Sequence, residues 1–126
     1  MKTHSAFRLV EVYQGRPLTL FHGIKVPGAD RRTRKIPIGE WIQAEQRPVR
    51  DGTGPFYTSG FNVLLTQDRM SDYAKRFKAP RILMVIPVKV RGLRRKEHSK
   101  SDVWLADWMR VDEDWISHAK HLRELA

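Results

Sequence analysis

A histidine followed directly by a glycine ends one of the apolar segments of the chain. The stretch "TLFHGIKVPG" (residues 19–28) runs from a predicted strand at 18–22 into His22 and Gly23. Imidazole nitrogens can donate or accept a hydrogen bond, and a glycine lets a ligand approach the backbone closely because it has no Cβ. The pair is therefore a candidate corner of a nucleotide site. The ordinary alternative is a surface imidazole beside a turn glycine.

Two later segments carry side chains that could complete such a site. "PFYTSGF" (55–61) places Tyr57 on a predicted strand, and "SDVWLADWM" (101–109) opens another strand with the carboxylate of Asp102. These are the partners that a nucleotide corner needs, provided that the fold brings all three segments to one cleft. Each also has an ordinary explanation. Tyr57 would be a half-buried sheet residue, and Asp102 would be one member of a surface ion pair.

The order of the three segments resembles the ADP-ribosyltransferase fold of the His-Tyr-Glu type, including its RNA 2′-phosphotransferase branch, over residues 18–116. In that family one strand carries "[LY]-x-HG", a second carries "Y-[FT]-[ASD]" before a helix, and a late strand carries a catalytic glutamate. Here Asp102 precedes Asp107 by five positions, the spacing at which the family's glutamate precedes its Asp or Asn. Two departures stand out. An aspartate replaces the glutamate, and Ile24 follows "HG" where the family has Thr or Ser.

This resemblance implies that the chain binds NAD and transfers ADP-ribose to a nucleic-acid or protein acceptor. In a member of the family, His22 would hydrogen-bond to the nicotinamide ribose, and the backbone of Gly23 would approach the carboxamide. Tyr57 would stack on the nicotinamide ring. Asp102 would stabilise the oxocarbenium-like charge that develops as the glycosidic bond breaks.

The charge of the chain suggests a second, non-catalytic hypothesis. Twenty-four Lys and Arg against 14 Asp and Glu give a net charge of +10, and such an excess favours a polyanionic partner. Two clusters, "RRTRK" (31–35) and "RGLRRKEHSK" (91–100), concentrate it. The alternative function is therefore a basic binding protein of phage or mobile-element type, such as an anti-defence (anti-CRISPR-like) inhibitor or a nucleic-acid binder. Its predicted polyanion contacts are Arg31, Arg32, Arg34, Lys35, Arg91, Arg94, Arg95 and Lys96. The ordinary explanation of the charge is solubility.

Several classes of site are not expected from the sequence. The absence of cysteine excludes disulfides and thiolate zinc sites, and the histidines lack the paired spacing of a helical metal site. The glycine-rich phosphate-loop motifs are missing. No apolar run is long enough to span a bilayer. From these observations together, we expect a cytoplasmic protein without a metal or a membrane partner.

Apolar periodicity and breaker residues predict an α+β fold. A single domain over 1–126 would hold about six mostly antiparallel strands in two small sheets with two helices. The strands are predicted at 7–14, 18–22, 36–44, 56–65, 81–91 and 102–107, and the helices at 66–77, with Thr66 as N-cap, and at 112–125. Trp41, Trp104 and Trp115 are expected in the core or at its rim, whereas Trp108 fits either a core or a surface position.

Overall fold

The computed structural model of the chain describes residues 1–20, 24, 33–75, 82–97 and 102–124, of which 123 and 124 are described in their backbone only. The strands are β1 (His4–Tyr13), β2 (Arg16–Leu18), β3 (Ile42–Gln43), β4 (Pro48–Val49), β5 (Tyr57–Thr58), β6 (Phe61–Val63), β7 (Ile82–Arg91), β8 (Arg94–Arg95), β9 (Trp104–Ala106), β10 (Trp108–Arg110) and β11 (Lys120–Glu124). The helical parts are α1 (Met70–Ala74) and a 3-10 helix (Trp115–His118).

The fold is mostly β, so the predicted α+β class is wrong. Among the described residues, 45 lie in the strands and nine in the two helical parts. The described strands form three sheets where two were expected. The largest is a curled sheet in the order β2-β1-β7-β10-β3, with β11 also paired to β7. β4 and β5 form a second sheet, and β6-β9-β8 a third.

The two longest strands agree with the sequence prediction and form the centre of the large sheet. Alternation at 7–14 corresponds to β1, and the apolar run at 81–91 corresponds to β7. They pair antiparallel from His4 opposite Val90 to Glu11 opposite Leu83. The predicted strand at 56–65 is present as β5 and β6.

A proline in the middle of β7 explains why one edge of this strand has two partners. Pro87 cannot donate a ladder hydrogen bond, and its neighbour on β1 is Phe7. The backbone of Phe7 bonds to Leu64 instead, so the missing N–H of Pro87 points to the opposite edge. On that edge β10 pairs with 89–91 and β11 with 82–85. The proline occupies the gap between them.

Both faces of the large sheet carry apolar residues, but only one is covered along its length by a core. That core contains alternate residues of the central strands, including Val10, Ile86, Val90 and Met109. On the other face, α1 packs over Leu83 and Val85. At the C-terminal end of β7 the same face carries polar side chains. They lie on this side because every second residue of a strand points to the same face.

Both predicted helices need correction. In residues 66–75, the described part of the first segment, the helix is α1 alone, and its N-cap is Arg69 without a side-chain capping bond, not Thr66. In residues 112–124, the described part of the second segment, a 3-10 helix is followed by β11 in place of one helix. The free edge of β7 at 82–85 explains the difference. Pairing with β11 satisfies its backbone groups, and such tertiary pairing overrides the weak preference of a sequence for a helix. No helix in the described part of the chain has the length and apolar character needed to cross a bilayer.

Candidate functional site

Of the four residues predicted for the NAD site, the structure describes Tyr57 and Asp102. His22 and Gly23 lie outside the described residues. Tyr57 lies on β5, and its hydroxyl donates a hydrogen bond to Oδ1 of Asp51 at 2.9 Å. The ammonium of Lys96 lies 2.7 Å from Oδ2 of the same carboxylate and 4.8 Å from the centroid of the Tyr57 ring. Tyr57 is therefore part of a three-residue polar cluster.

This cluster shifts the titration of all three groups. The hydrogen bond from Lys96, supported by the one from Tyr57, lowers the pKa of Asp51. Burial and the neighbouring carboxylate raise the pKa of the Tyr57 phenol. Burial opposes the charge of Lys96, but its contacts with Asp51 and Tyr57 outweigh burial and raise the pKa of the ammonium. At neutral pH the cluster therefore holds a charged pair and a neutral phenol, an arrangement that anchors β5 to the end of β8.

Asp102 makes a separate contact. It precedes β9 with a φ of 53°, and its Oδ2 lies 3.5 Å from Nε of Arg69 in an exposed ion pair. In the described part of the chain, the hydrogen bonds and ion pairs of Tyr57 and Asp102 share no residue. Because His22 and Gly23 are not described, the NAD site stays a prediction.

Most residues of the first basic cluster either make internal contacts or lie outside the described residues. Arg31 and Arg32 lie outside the described residues. Arg34 forms an ion pair with Glu11 and donates from Nε to the carbonyl of Thr19 at 2.9 Å. Lys35 is exposed.

The second basic cluster divides into structural and exposed arginines. Arg94 donates to the carbonyl oxygens of Thr58 at 2.8 Å and Ser59 at 2.7 Å, and its Nε lies 3.2 Å from Oδ1 of Asp107. It therefore joins β5 to the turn between β9 and β10. Arg95 is exposed, and its guanidinium carbon lies 5.8 Å from the centroid of the Trp104 ring.

The third arginine of that cluster, Arg91, belongs to a surface that sequence reasoning missed. This surface, the basic face, lies on the side of the large sheet opposite the main core. It consists of Ser5 on β1, Lys89 and Arg91 on β7, Trp108 and Arg110 on β10, and Trp41 next to β3.

Strand register places these side chains together. Ser5, Lys89 and Arg110 are direct partners across three strands. Arg91 is likewise the partner of Trp108. Residues directly opposite each other in a sheet point to the same side. The positions between them, including Val90 and Met109, are buried in the main core, so the basic face points away from it.

Trp41 lies against two of the arginines. The guanidinium carbons of Arg91 and Arg110 lie 4.1 and 5.0 Å from the centroid of its ring. Contacts of this kind attract a cation to the ring without neutralising it. Trp41 therefore restricts both guanidinium groups and leaves their charges in place.

The charges of the basic face are incompletely balanced. Arg110 has a carboxylate partner, since its Nε lies 2.8 Å from Oδ1 of Asp112. Lys89 donates to the hydroxyl of Ser5 at 3.0 Å, and Nε of Arg91 donates to the hydroxyl of Thr3 at 2.9 Å. In the described part of the chain, neither of these cations has a carboxylate partner, and the Nη groups of Arg91 have no acceptor.

The signal for this face was present in the sequence but incomplete. "VKVR" and "WMR" alternate apolar with basic or aromatic residues, which predicts strands with one polar side. Nothing in the sequence states that β7 pairs with β10 or that Trp41 reaches across to Arg91. Trp41 and Trp108 are both half-buried, so part of each indole ring remains available to a ligand.

Side chains of this kind can bind phosphate groups and planar bases. The described residues include no group of three or more acidic or histidine side chains that could hold a metal ion. Comparison of the chain with protein-family models, curated proteins and solved structures gives no match.

Proposed function

We propose that the protein binds nucleic acid through the basic face. One observation carries this proposal. The guanidinium of Arg91 is held 4.1 Å from the ring centroid of Trp41, with no carboxylate partner and no acceptor for its Nη groups among the described residues. A charged group that is ordered before the ligand arrives loses less entropy on binding.

The neighbours of Arg91 support the same function. Lys89 lies two residues away on the same side of β7, so its ammonium and the guanidinium can contact successive phosphates of one strand. Phosphate contacts from Lys and Arg supply most of the affinity of non-specific nucleic-acid binding. Trp108, the cross-strand neighbour of Arg91, adds an aromatic surface on which a base can stack. The net charge of +10 favours the encounter with any polyanion.

The proposal is tested by fluorescence anisotropy with labelled oligonucleotides, in single-stranded and annealed form, over a series of salt concentrations. Loss of two phosphate contacts in the double variant Lys89→Ala/Arg91→Ala should reduce the log–log slope of affinity against salt by about 1.4 on a single strand. The matched control is Arg16→Ala/Arg47→Ala. Both of these arginines are exposed, and neither has a carboxylate partner in the described part of the chain.

Three results would overturn the proposal. The first is the absence of oligonucleotide binding even at low salt, and the second is an equal loss of slope in the control variant. The third is equal binding of polyglutamate with the same dependence on Lys89 and Arg91, which would assign the basic face to acidic proteins.

A further inference from the structure

We infer that the ligand of the basic face is single-stranded nucleic acid. The inference rests on the proposed function and adds the substrate class. It follows from the width of the face and from the position of its tryptophans.

The basic face is too wide for the groove of a duplex. It extends over four neighbouring strands, β1, β7, β10 and β3. At about 4.8 Å between neighbours, their backbones alone span about 14 Å. The major groove of B-DNA is about 12 Å wide and admits an α-helix or a two-stranded ribbon. A face of this width therefore does not enter the groove of an undistorted B-form duplex.

The two tryptophans favour a ligand with unstacked bases, because only such bases have a ring face that can stack on an indole. Trp108 is a direct neighbour of Arg91, and Trp41 lies against that arginine from the other side of β10. In a duplex, each base face is covered by the next base pair, whereas unpaired bases can stack on aromatic side chains. Phosphate-binding cations placed directly beside aromatic rings are the arrangement that a single strand requires.

The wild-type protein can test this without any substitution. The probes are a labelled single strand, the same strand annealed to its complement, and a strand of equal length with abasic positions, each as DNA and RNA. We expect the single strand to bind more tightly than the abasic strand by about 5- to 150-fold for each base that stacks. It should also quench tryptophan fluorescence, and the duplex should bind no better than the abasic strand.

A pair of variants locates the effect. Trp108→Leu should weaken binding of the single strand and leave that of the abasic strand unchanged, while Trp104→Leu, on β9 of the third sheet, should change neither. Duplex binding equal to or tighter than single-strand binding would overturn this inference and leave the proposed function standing. Failure of all three probes to bind would instead remove the proposed function. Tighter binding to either DNA or RNA identifies the source of the strand and supports the inference.

Discussion

Replacement of Arg94 tests whether the basic segment at 91–100 serves mainly the fold or mainly a ligand. The sequence assigns Arg94 to polyanion binding, but the structure gives it three internal partners. Its two Nη groups donate to the carbonyls of Thr58 and Ser59, and its Nε contacts Asp107. We therefore expect Arg94→Ala to reduce the free energy of unfolding rather than the salt dependence of ligand binding.

The size of the effect follows from these contacts. A hydrogen bond from a charged group contributes about 1.5–3 kcal/mol when buried, and the side chain of Arg94 is 32% exposed, so we take the lower value for each carbonyl. The ion pair with Asp107 adds little at that exposure. The loss is therefore about 3 kcal/mol. For 126 residues at about 2.1 cal/mol/K per residue, this lowers the Tm by about 11 °C.

The assay is thermal denaturation followed by circular dichroism. Arg95→Ala is the matched control, since this neighbour is exposed and its guanidinium contacts the Trp104 ring at 5.8 Å without a hydrogen bond or an ion pair in the described part of the chain. Its Tm should fall by no more than about 4 °C. Arg94→Lys should be nearly as unstable as Arg94→Ala, because one ammonium cannot replace a planar group with several fixed donors. If Arg94→Lys keeps the wild-type Tm, or if Arg94→Ala matches Arg95→Ala, the bracing role assigned to Arg94 is wrong.

Two further predictions concern a backbone turn and a titrating contact. Gly92 has a φ of 67°, and a Cβ there would lie 2.6 Å from Oδ2 of Asp107. Gly92→Ala should therefore lower the free energy of unfolding, measured by chemical denaturation, by about 3 kcal/mol or more. Gly15→Ala should lower it by about 1–2 kcal/mol, because Gly15 also has a positive φ but its Cβ would have no atom within 4 Å. Equal losses in these two variants would show that the contact with Asp107 has no effect. Because the pKa of Asp51 is lowered in the folded protein, its carboxylate stabilises the fold fully at pH values above the unfolded pKa of about 3.9. This stabilisation is lost as the pH falls through the lower pKa of the folded state. Asp51→Asn should therefore have a lower Tm than the wild type at pH 7, and the gap should close below about pH 4; a gap that persists in acid would contradict the assigned contact with Lys96.

The sequence located correctly those strands whose hydrophobic pattern lies within the strand itself. Alternation located β1, and a continuous apolar run located β7, because each signal is local. The same reasoning failed at 112–125. An acidic start and a basic end favour a helix, but the unpaired edge of β7 next to Pro87 selects a strand there. That edge exists only after folding.

The functional residues divide in the same way. Composition indicated a polyanion partner, but it could not separate Arg91, which faces solvent beside Trp41, from Arg94, which braces three elements. The two lie three positions apart in one basic segment. Their different surroundings are set by the register of β7 with β10 and of β8 with β9. Cross-strand register involves distant segments and cannot be read from either segment alone.

The pairing of β1 with β7 also has a consequence for synthesis. His4 pairs with Val90, 86 positions further along the chain. At about 5–20 residues per second, a ribosome makes β7 roughly 4–17 s after β1. Until Leu64 emerges and can form its bridge with Phe7, β1 has the short β2 as its partner, and an isolated two-stranded hairpin is marginally stable. Its apolar side chains, Ala6 and Val10 on one side and Leu9 on the other, therefore stay exposed on the nascent chain, where a holding chaperone can bind them until the central partner emerges.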